Sequence, residues 1–173
     1  MATSTLVEEA TRFDAEDSEV YRIDVLPGED DLPYDDGGKN PMESARHRSQ
    51  MNLLIETINP WLKERGNGYA GGDMFFYFSP KQIRNQYFRG PDVYVALDVD
   101  NRERKSWVLW EEGKPPDVII ELLSETTKTE DKGPKKLAYQ NDAEVPEYFW
   151  FDPWNPLDRK GFELKNGLYK PLS

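Results

Sequence analysis

Two carboxylates in apolar surroundings are the side chains of this sequence best suited to chemistry. Asp92 follows a proline and opens the apolar run Val93–Leu97, and Glu121 lies inside the apolar run Val118–Leu123. A bare buried carboxylate is costly unless something compensates its charge. If the two runs form neighbouring strands, the carboxylates can lie side by side on one face of a sheet, where they repel and raise each other's pKa.

A divalent cation would resolve this repulsion. Magnesium prefers oxygen ligands and usually keeps several waters, so Asp92 and Glu121 are enough to hold it. A water bound to the metal becomes a better nucleophile, and the metal stabilises charge on a phosphoryl oxygen. A lysine ammonium nearby can orient that water. Lys135, in the segment "DKGPKKLAY", is the candidate for this role, and Lys136 is its rival.

Each of these residues also has a purely structural interpretation. Glu121 and Lys135 could form an ion pair with no further role, or Lys135 could be a solvated lysine. Asp92 could be a turn residue at the start of a strand. A second Pro-Asp pair ends at Asp117, four residues before Glu121 and on the same face of the strand. Asp117 lies near the exposed entrance of that strand, so Asp92 is the preferred partner.

Periodicity and turn signals predict the elements that must position these residues. Residues 40–65 predict a helix with Asn40 as N-cap, Pro41 in the first turn and Pro60 kinking or ending it. A second helix starts within residues 134–141, with Pro134 in its first turn. The apolar face of the first helix is formed by Met51, Leu54, Ile55, Ile58 and Leu62.

Aromatic and β-branched runs bounded by turn residues predict strands between and after these helices. The segments "PDVIIELLS" and "PEYFWFDP" predict buried strands, and Asn166-Gly167 predicts the turn of a C-terminal hairpin. The order of helix, strands, helix and strands indicates an α/β fold with a mixed β-sheet flanked by helices.

Composition excludes several classes of function. The chain of 173 residues suits one domain, and the absence of cysteine excludes disulfides and thiolate metal sites. The single histidine excludes a His-rich zinc site. The N-terminus has no secretory pattern, and no run approaches about 18 apolar residues, so we expect a cytoplasmic protein without a membrane partner.

The net charge of −11 is unevenly distributed. Residues 1–40 hold 12 acidic and 3 basic side chains, whereas residues 41–173 hold 21 and 19. We interpret residues 1–40 as an acidic leader, partly extended through a short strand at residues 20–26, and residues 41–173 as the main domain. One hypothesis is that the leader mimics phosphate charge and covers the cleft.

Six segments of the chain together form a recognisable pattern. They are, in order, "DLPYDDGGKNPMESARHRSQMNLLIETI", "GGDMFFYF", "FRGPDVYVALDVD", "WVLWEEGKPPDVIIELLSETT", "DKGPKKLAY" and "VPEYFWFDP". This pattern, from about Asp31 to Pro153, resembles the PD-(D/E)xK nuclease superfamily, and more closely its Uma2 family of restriction-endonuclease-like proteins. The resemblance implies a restriction-endonuclease-like core and a Mg²⁺- or Mn²⁺-dependent endonuclease that hydrolyses DNA.

The resemblance also implies roles for single residues. Asp92 takes the place of the superfamily's PD aspartate, and Glu121 takes the place of its second acidic metal ligand. The lysine usually found two residues after that acid is Leu123 here. Lys135 replaces it from the following helix, in a D-x-x-x-K-x-x-x-Y spacing that begins at Asp131 and ends at Tyr139.

Further residues are secondary candidates by the same resemblance. Superfamily members often place a first-helix carboxylate near the metals, which suggests Glu43, and His47 shares its helix face four residues on. Glu43 could instead complete a capping box, and His47 could be a surface or half-buried helix residue. Candidate phosphate contacts are Lys81, Arg84, Arg89 and Lys128.

A non-enzymatic function is the alternative. The relocated lysine and the weak basicity suit a catalytically inactive protein of the nuclease fold that binds a partner or dimerises. For the enzyme, analogy favours a homodimer, because cutting both strands of DNA needs two sites.

Overall fold

The protein has a mixed α/β architecture in the computed structural model, which describes residues 44–79 and 88–172. The predicted acidic leader, together with Asn40, Pro41, Glu43, Lys81 and Arg84, lies outside these residues. The described elements, in chain order, are α1 (Ala45–Arg65), β1 (Gly68–Gly71), β2 (Phe76–Tyr77), β3 (Phe88–Arg89), β4 (Val93–Leu97), β5 (Trp107–Val108), α2 (Leu109–Glu112), β6 (Val118–Leu122), α3 (Lys128–Glu130), a π-helical segment (Asp131–Lys135), α4 (Lys136–Asn141), β7 (Glu147–Phe151), β8 (Arg159–Lys165) and β9 (Leu168–Pro171).

The strands form two sheets. The larger sheet has the order β1-β4-β6-β7-β8-β9, and the smaller has the order β3-β2-β5. In the larger sheet β6 and β7 are parallel, and the other neighbours are antiparallel. The parallel pair requires a crossover, which α3, the π-helical segment and α4 provide. The predicted α/β fold with a mixed sheet and flanking helices is therefore confirmed.

The first helix begins later than predicted. Its N-cap is Ser44, whose side-chain oxygen accepts a hydrogen bond from the backbone N–H of His47 at 3.2 Å. Its C-cap is Gly66, which adopts the left-handed conformation (φ 82°) that glycine accepts without steric cost. Pro60 does not end the helix, which continues to Arg65.

The predicted apolar face of α1 packs against one face of the larger sheet. Leu62 is buried with Ala70 of β1 and Val95 of β4, and Ile55 and Ile58 pack against this group. The helical spacing of apolar residues therefore identified the buried face correctly.

An aromatic core fills the opposite face of the sheet. Tyr94 of β4, Ile119 of β6 and Tyr148 of β7 are fully buried there, together with Tyr139 of α4. Because side chains alternate along a strand, Glu121 projects to the same face as Ile119. The crossover helices thus cover the face of the sheet that carries Glu121.

Other sequence predictions had mixed outcomes. Asn166 (φ 54°) and Gly167 (φ 74°) are both left-handed, as the predicted hairpin turn requires. The second helical region begins at Lys128, well before residues 134–141. Strand β6 is less buried than predicted, since Val118 and Ile120 are only half-buried. Of the helices in the described part of the chain, none is both long enough and apolar enough to cross a membrane.

Candidate functional site

Strand register brings the two predicted carboxylates together. The antiparallel pairing of β4 and β6 sets Val93 opposite Ile120, so one residue further along Asp92 stands opposite Glu121. The backbone N–H of Leu122 donates to Oδ2 of Asp92 at 2.7 Å. The backbone N–H of Asp92 lies 3.4 Å from Oε2 of Glu121, to which it donates. The two acids are therefore tied to each other's strands.

Glu121 is fully buried and its two oxygens have different partners. The hydroxyl of Tyr139 donates to Oε1 at 3.0 Å, and the ammonium of Lys135 donates to Oε2 at 3.0 Å. Burial raises the pKa of the Glu121 carboxyl to about 8, because loss of solvent outweighs the opposing effect of the Lys135 charge. In the sequence Tyr139 was matched only as the end of the D-x-x-x-K-x-x-x-Y spacing, and its hydroxyl is an additional group of the site.

Lys135 is the centre of the charge cluster. Besides Glu121, its Nζ lies 2.9 Å from Oδ1 of Asp131 and 3.3 Å from the backbone carbonyl oxygen of Gly90. Burial alone would lower the pKa of Lys135. The charges of Glu121, Asp131 and Asp92 outweigh that effect and raise it above its ordinary value.

The neighbouring lysines do not compete for this position. Lys132 forms an ion pair with Asp158 at 2.6 Å, and Lys136 lies over the ring of Phe162 at 4.0 Å from its centroid. Lys135 alone of the three therefore contacts Glu121.

The π-helical segment contains both residues of a second ion pair, Asp131 and Lys135. Asp131 begins this segment, Lys135 ends it, and Asp131 is almost fully buried. The hydroxyl of Tyr148 donates to the backbone carbonyl oxygen of Asp131 at 2.7 Å, which fixes the start of the segment against β7. Such π-helical turns are rare and occur often at functional sites. The role of Asp131 was not predicted, although its spacing of four residues from Lys135 was a signal.

His47, which lies in α1, also contacts the site. Its Nε2 lies 3.3 Å from Oδ1 of Asp92, and the side chain is buried. The interpretation of His47 as a surface or half-buried residue was therefore wrong. The other first-helix candidate, Glu43, lies outside the described residues.

The second Pro-Asp pair is not part of the cluster. Oδ2 of Asp117 accepts a hydrogen bond from the backbone N–H of Leu97 at 2.7 Å and binds the ammonium of Lys114 at 2.6 Å. Asp117 lies at the opposite end of β6 from Glu121, which supports the choice of Asp92. Two of the predicted phosphate contacts are described: Arg89 is half-buried and donates to the carbonyl of Phe88, and Lys128 is exposed.

Gly72 allows the backbone of Asp92 to lie close to the loop between β1 and β2. A Cβ atom on Gly72 would lie 2.1 Å from the backbone carbonyl oxygen of Asp92 and 3.1 Å from Cδ1 of Ile55. Gly72 therefore permits a close approach of two backbone segments at Asp92, the first residue of the site.

The cluster contains more carboxyl groups than ammonium groups. Asp92, Glu121 and Asp131 are three carboxyl groups, and Lys135 is one ammonium. Within residues 44–79 and 88–172, no group of three or more carboxylate or imidazole side chains is arranged to hold a metal ion. Magnesium is commonly bound by one or two carboxylates together with waters, so the oxygen donors of Asp92 and Glu121 fit this ion in type and number.

Comparison with known proteins identifies the family of the chain. A family model named Uma2 and described as "Putative restriction endonuclease" matches residues 18–173. The chain belongs to the Uma2 family. The Uma2 match extends the resemblance found in the sequence to the C-terminal hairpin. No curated protein matches the chain.

A solved structure has a similar fold to this Uma2 chain. It is the crystal structure, at 1.96 Å resolution, of a "putative nuclease belonging to DUF820" from Anabaena variabilis ATCC 29413. The two chains share 15% sequence identity with a TM-score of 0.54, and the match covers 76% of this chain and 69% of the other. At this identity the similarity shows a shared fold.

Proposed function

We propose that this Uma2 protein is a magnesium- or manganese-dependent endonuclease that hydrolyses phosphodiester bonds of DNA. The observation that carries the proposal is the convergence of Asp92 and Glu121, in register on neighbouring strands, with the ammonium of Lys135 3.0 Å from Glu121. The family membership and the excess of carboxylates over ammonium groups support it.

Asp92 and Glu121 are the residues that would hold the cation. When bound, the cation supplies a more nucleophilic water and stabilises charge on a phosphoryl oxygen. Tyr139 fixes the orientation of Glu121 through Oε1 and leaves Oε2 facing Asp92 and Lys135. His47 restrains the other carboxylate at Oδ1.

Lys135 acts as a hydrogen-bond donor and a positive charge. Its raised pKa makes it a poor proton acceptor, so it does not serve as the general base. Its ammonium is suited to orient a water or to stabilise negative charge on the phosphate as that charge develops.

Cation binding and DNA cleavage test the proposal together. Calorimetry with Mg²⁺ and Mn²⁺ should show binding to the wild type and loss of binding in Asp92→Asn. In a plasmid nicking assay, Asp92→Asn, Glu121→Gln and Lys135→Met should each lower the rate by about 100-fold or more, the usual cost of removing a positioned catalytic group.

The other end of β6 offers matched controls. Asp117 and Lys114 form a partly buried carboxylate–lysine pair there, away from the cluster. Asp117→Asn and Lys114→Met should therefore keep cation binding and nicking within a few-fold of the wild type. A wild type that cleaves neither duplex, single-stranded nor branched DNA in the presence of these cations would contradict the proposal.

One observation favours the alternative of a non-catalytic scaffold. The Lys135 ammonium has three partners within the protein, and both oxygens of Glu121 also have partners. Such a closed network can serve as a structural ion cluster alone. A wild type that is folded but neither binds the cations nor cleaves DNA would select this function.

A further inference from the structure

The carboxylate cluster is the start of a straight row across the larger sheet. Asp92 stands opposite Glu121, Glu121 is in register with Trp150 of β7, and Trp150 is in register with Lys160 of β8. Neighbouring strands lie about 4.8 Å apart, so the backbone of Lys160 is about 10 Å from that of Glu121. The row therefore leads directly from the acids to a basic residue.

A second lysine meets the end of this row from the crossover helix. Nζ of Lys136 lies 4.0 Å from the centroid of the Phe162 ring, and Nζ of Lys160 lies 5.7 Å from the same centroid. The Phe162 ring itself packs on Trp150, with 4.9 Å between centroids. The ammonium groups of Lys136 and Lys160 thus both lie near the Phe162 ring, which packs on Trp150 of the row.

These two lysines have no carboxylate partner in the part of the chain that the structure describes. Four other described lysines do pair with acids: Lys114 with Asp117, Lys132 with Asp158, Lys135 with Glu121, and Lys165 with Glu163.

The positive charges of Lys136 and Lys160 repel each other. Burial lowers the pKa of Lys136, and the nearby Lys160 charge lowers it further. An anion placed between the two ammonium groups would relieve that repulsion.

We propose that Lys136 and Lys160 bind a backbone phosphate of the DNA strand beside the phosphodiester that lies at the carboxylate cluster. The inference rests on the proposed function, since it takes DNA as the ligand. Lysine binds phosphate as a point charge, and the row sets the distance between the two phosphate positions.

Salt-dependent DNA binding by the full chain tests the lysine pair. Fluorescence anisotropy with labelled duplex and single-stranded oligonucleotides would be measured at several salt concentrations, with a chelator present to prevent cleavage. Lys136→Gln/Lys160→Gln should bind more weakly. The slope of log affinity against log salt should become shallower by about 0.9 for duplex and about 0.7 for single-stranded DNA, the values for one lost phosphate contact.

Two further double variants separate local contact from general charge. Lys136→Arg/Lys160→Arg keeps both charges and should retain most of the wild-type affinity. Lys63→Gln/Lys105→Gln loses the same net charge at two exposed residues, one in the last turn of α1 and the other between β4 and β5, and should keep the wild-type slope. Thermal unfolding of each variant checks that the fold is intact.

The outcomes for the lysine pair and for the nuclease are distinguishable. If Lys136→Gln/Lys160→Gln behaves like Lys63→Gln/Lys105→Gln while the wild type cleaves DNA, the lysine inference is overturned and the nuclease stands. If the predicted change in slope is found but no cleavage occurs, the lysine inference is supported and the nuclease fails. A wild type that binds no DNA overturns both.

Discussion

Glu121 is an acidic side chain that the fold removes from water. It is fully buried, it accepts hydrogen bonds from Tyr139 and Lys135, and it faces Asp92 across a strand pair. A glutamate in this position holds its proton more tightly in the folded chain than in the unfolded chain. The free energy of unfolding should therefore depend on pH through the protonation of Glu121.

We expect the free energy of unfolding to fall with rising pH because of Glu121. Its pKa is raised from the ordinary glutamate value of 4.5 to about 8. Between these values the folded state binds more protons than the unfolded state, so this contribution is fully present below pH 4.5 and is lost as pH rises through 8. The slope from one such group is at most about 1.4 kcal/mol per pH unit.

Urea unfolding of the wild type and Glu121→Gln across this pH range, with a chelator present, checks the prediction. The variant lacks the titrating group, so its curve should be flatter than that of the wild type. Asp117→Asn keeps Glu121 and should keep the wild-type slope. Parallel curves for the wild type and Glu121→Gln would show that Glu121 does not titrate in this way.

At the scale of elements, the loop between β1 and β2 sets the position of Asp92. Gly72→Ala would place a Cβ atom 2.1 Å from the Asp92 carbonyl oxygen, which belongs to the backbone and cannot turn away. We expect this variant to lose about 1–3 kcal/mol of unfolding free energy, as overpacked positions do, and to lose cation binding as Asp92 shifts. Chemical denaturation and calorimetry measure the two effects.

Gly90 provides the matched control for Gly72. It lies two residues before Asp92, and a Cβ atom there would meet nothing within 4 Å. Gly90→Ala should therefore keep both stability and cation binding. If the two alanine variants behave alike, the close approach at Gly72 has no influence on the site.

The sequence predicted those elements whose signals are local. The apolar spacing of α1 and the Asn166-Gly167 turn are decided by residues close in sequence, and both predictions are confirmed. The pairing of β4 with β6 was only the condition under which Asp92 and Glu121 would share a face, and the observed register meets that condition.

Predictions failed where distant contacts decide the structure. The π-helical segment is held against β7 by the hydrogen bond from Tyr148 to the carbonyl oxygen of Asp131, and this contact between residues 17 apart leaves no periodic pattern in the sequence. Proline signals were likewise overridden, because packing of α1 on the sheet carries that helix through Pro60.

At the scale of the whole molecule, charge is separated along the chain. The 12 acidic and 3 basic residues of positions 1–40 give this segment a charge of −9, while positions 41–173 carry −2. A polyanionic substrate would be repelled by the first segment and attracted to local lysines of the second.

Neutralising the first segment should therefore strengthen DNA binding. In a full-length variant with every aspartate and glutamate of residues 1–40 changed to its amide, the segment carries +3 instead of −9. We expect tighter binding at low salt and a smaller gain at high salt, where the charges are screened. Anisotropy measures both, and an unchanged affinity at low salt would contradict the hypothesis that this segment opposes DNA.

The register of β4 on β6 affects which strand pairing is favoured during folding. A slip of β4 by one residue would move Asp92 to the other face of the sheet and set Val93 beside Glu121, because alternate side chains face opposite sides of a strand. The hydrogen bond from the backbone N–H of Leu122 to Asp92 would then be lost, so this contact disfavours the slipped register. Replacing Asp92 with an apolar residue should therefore have two effects. It should remove a carboxylate from the site, and it should make the slipped pairing of β4 with β6 less unfavourable.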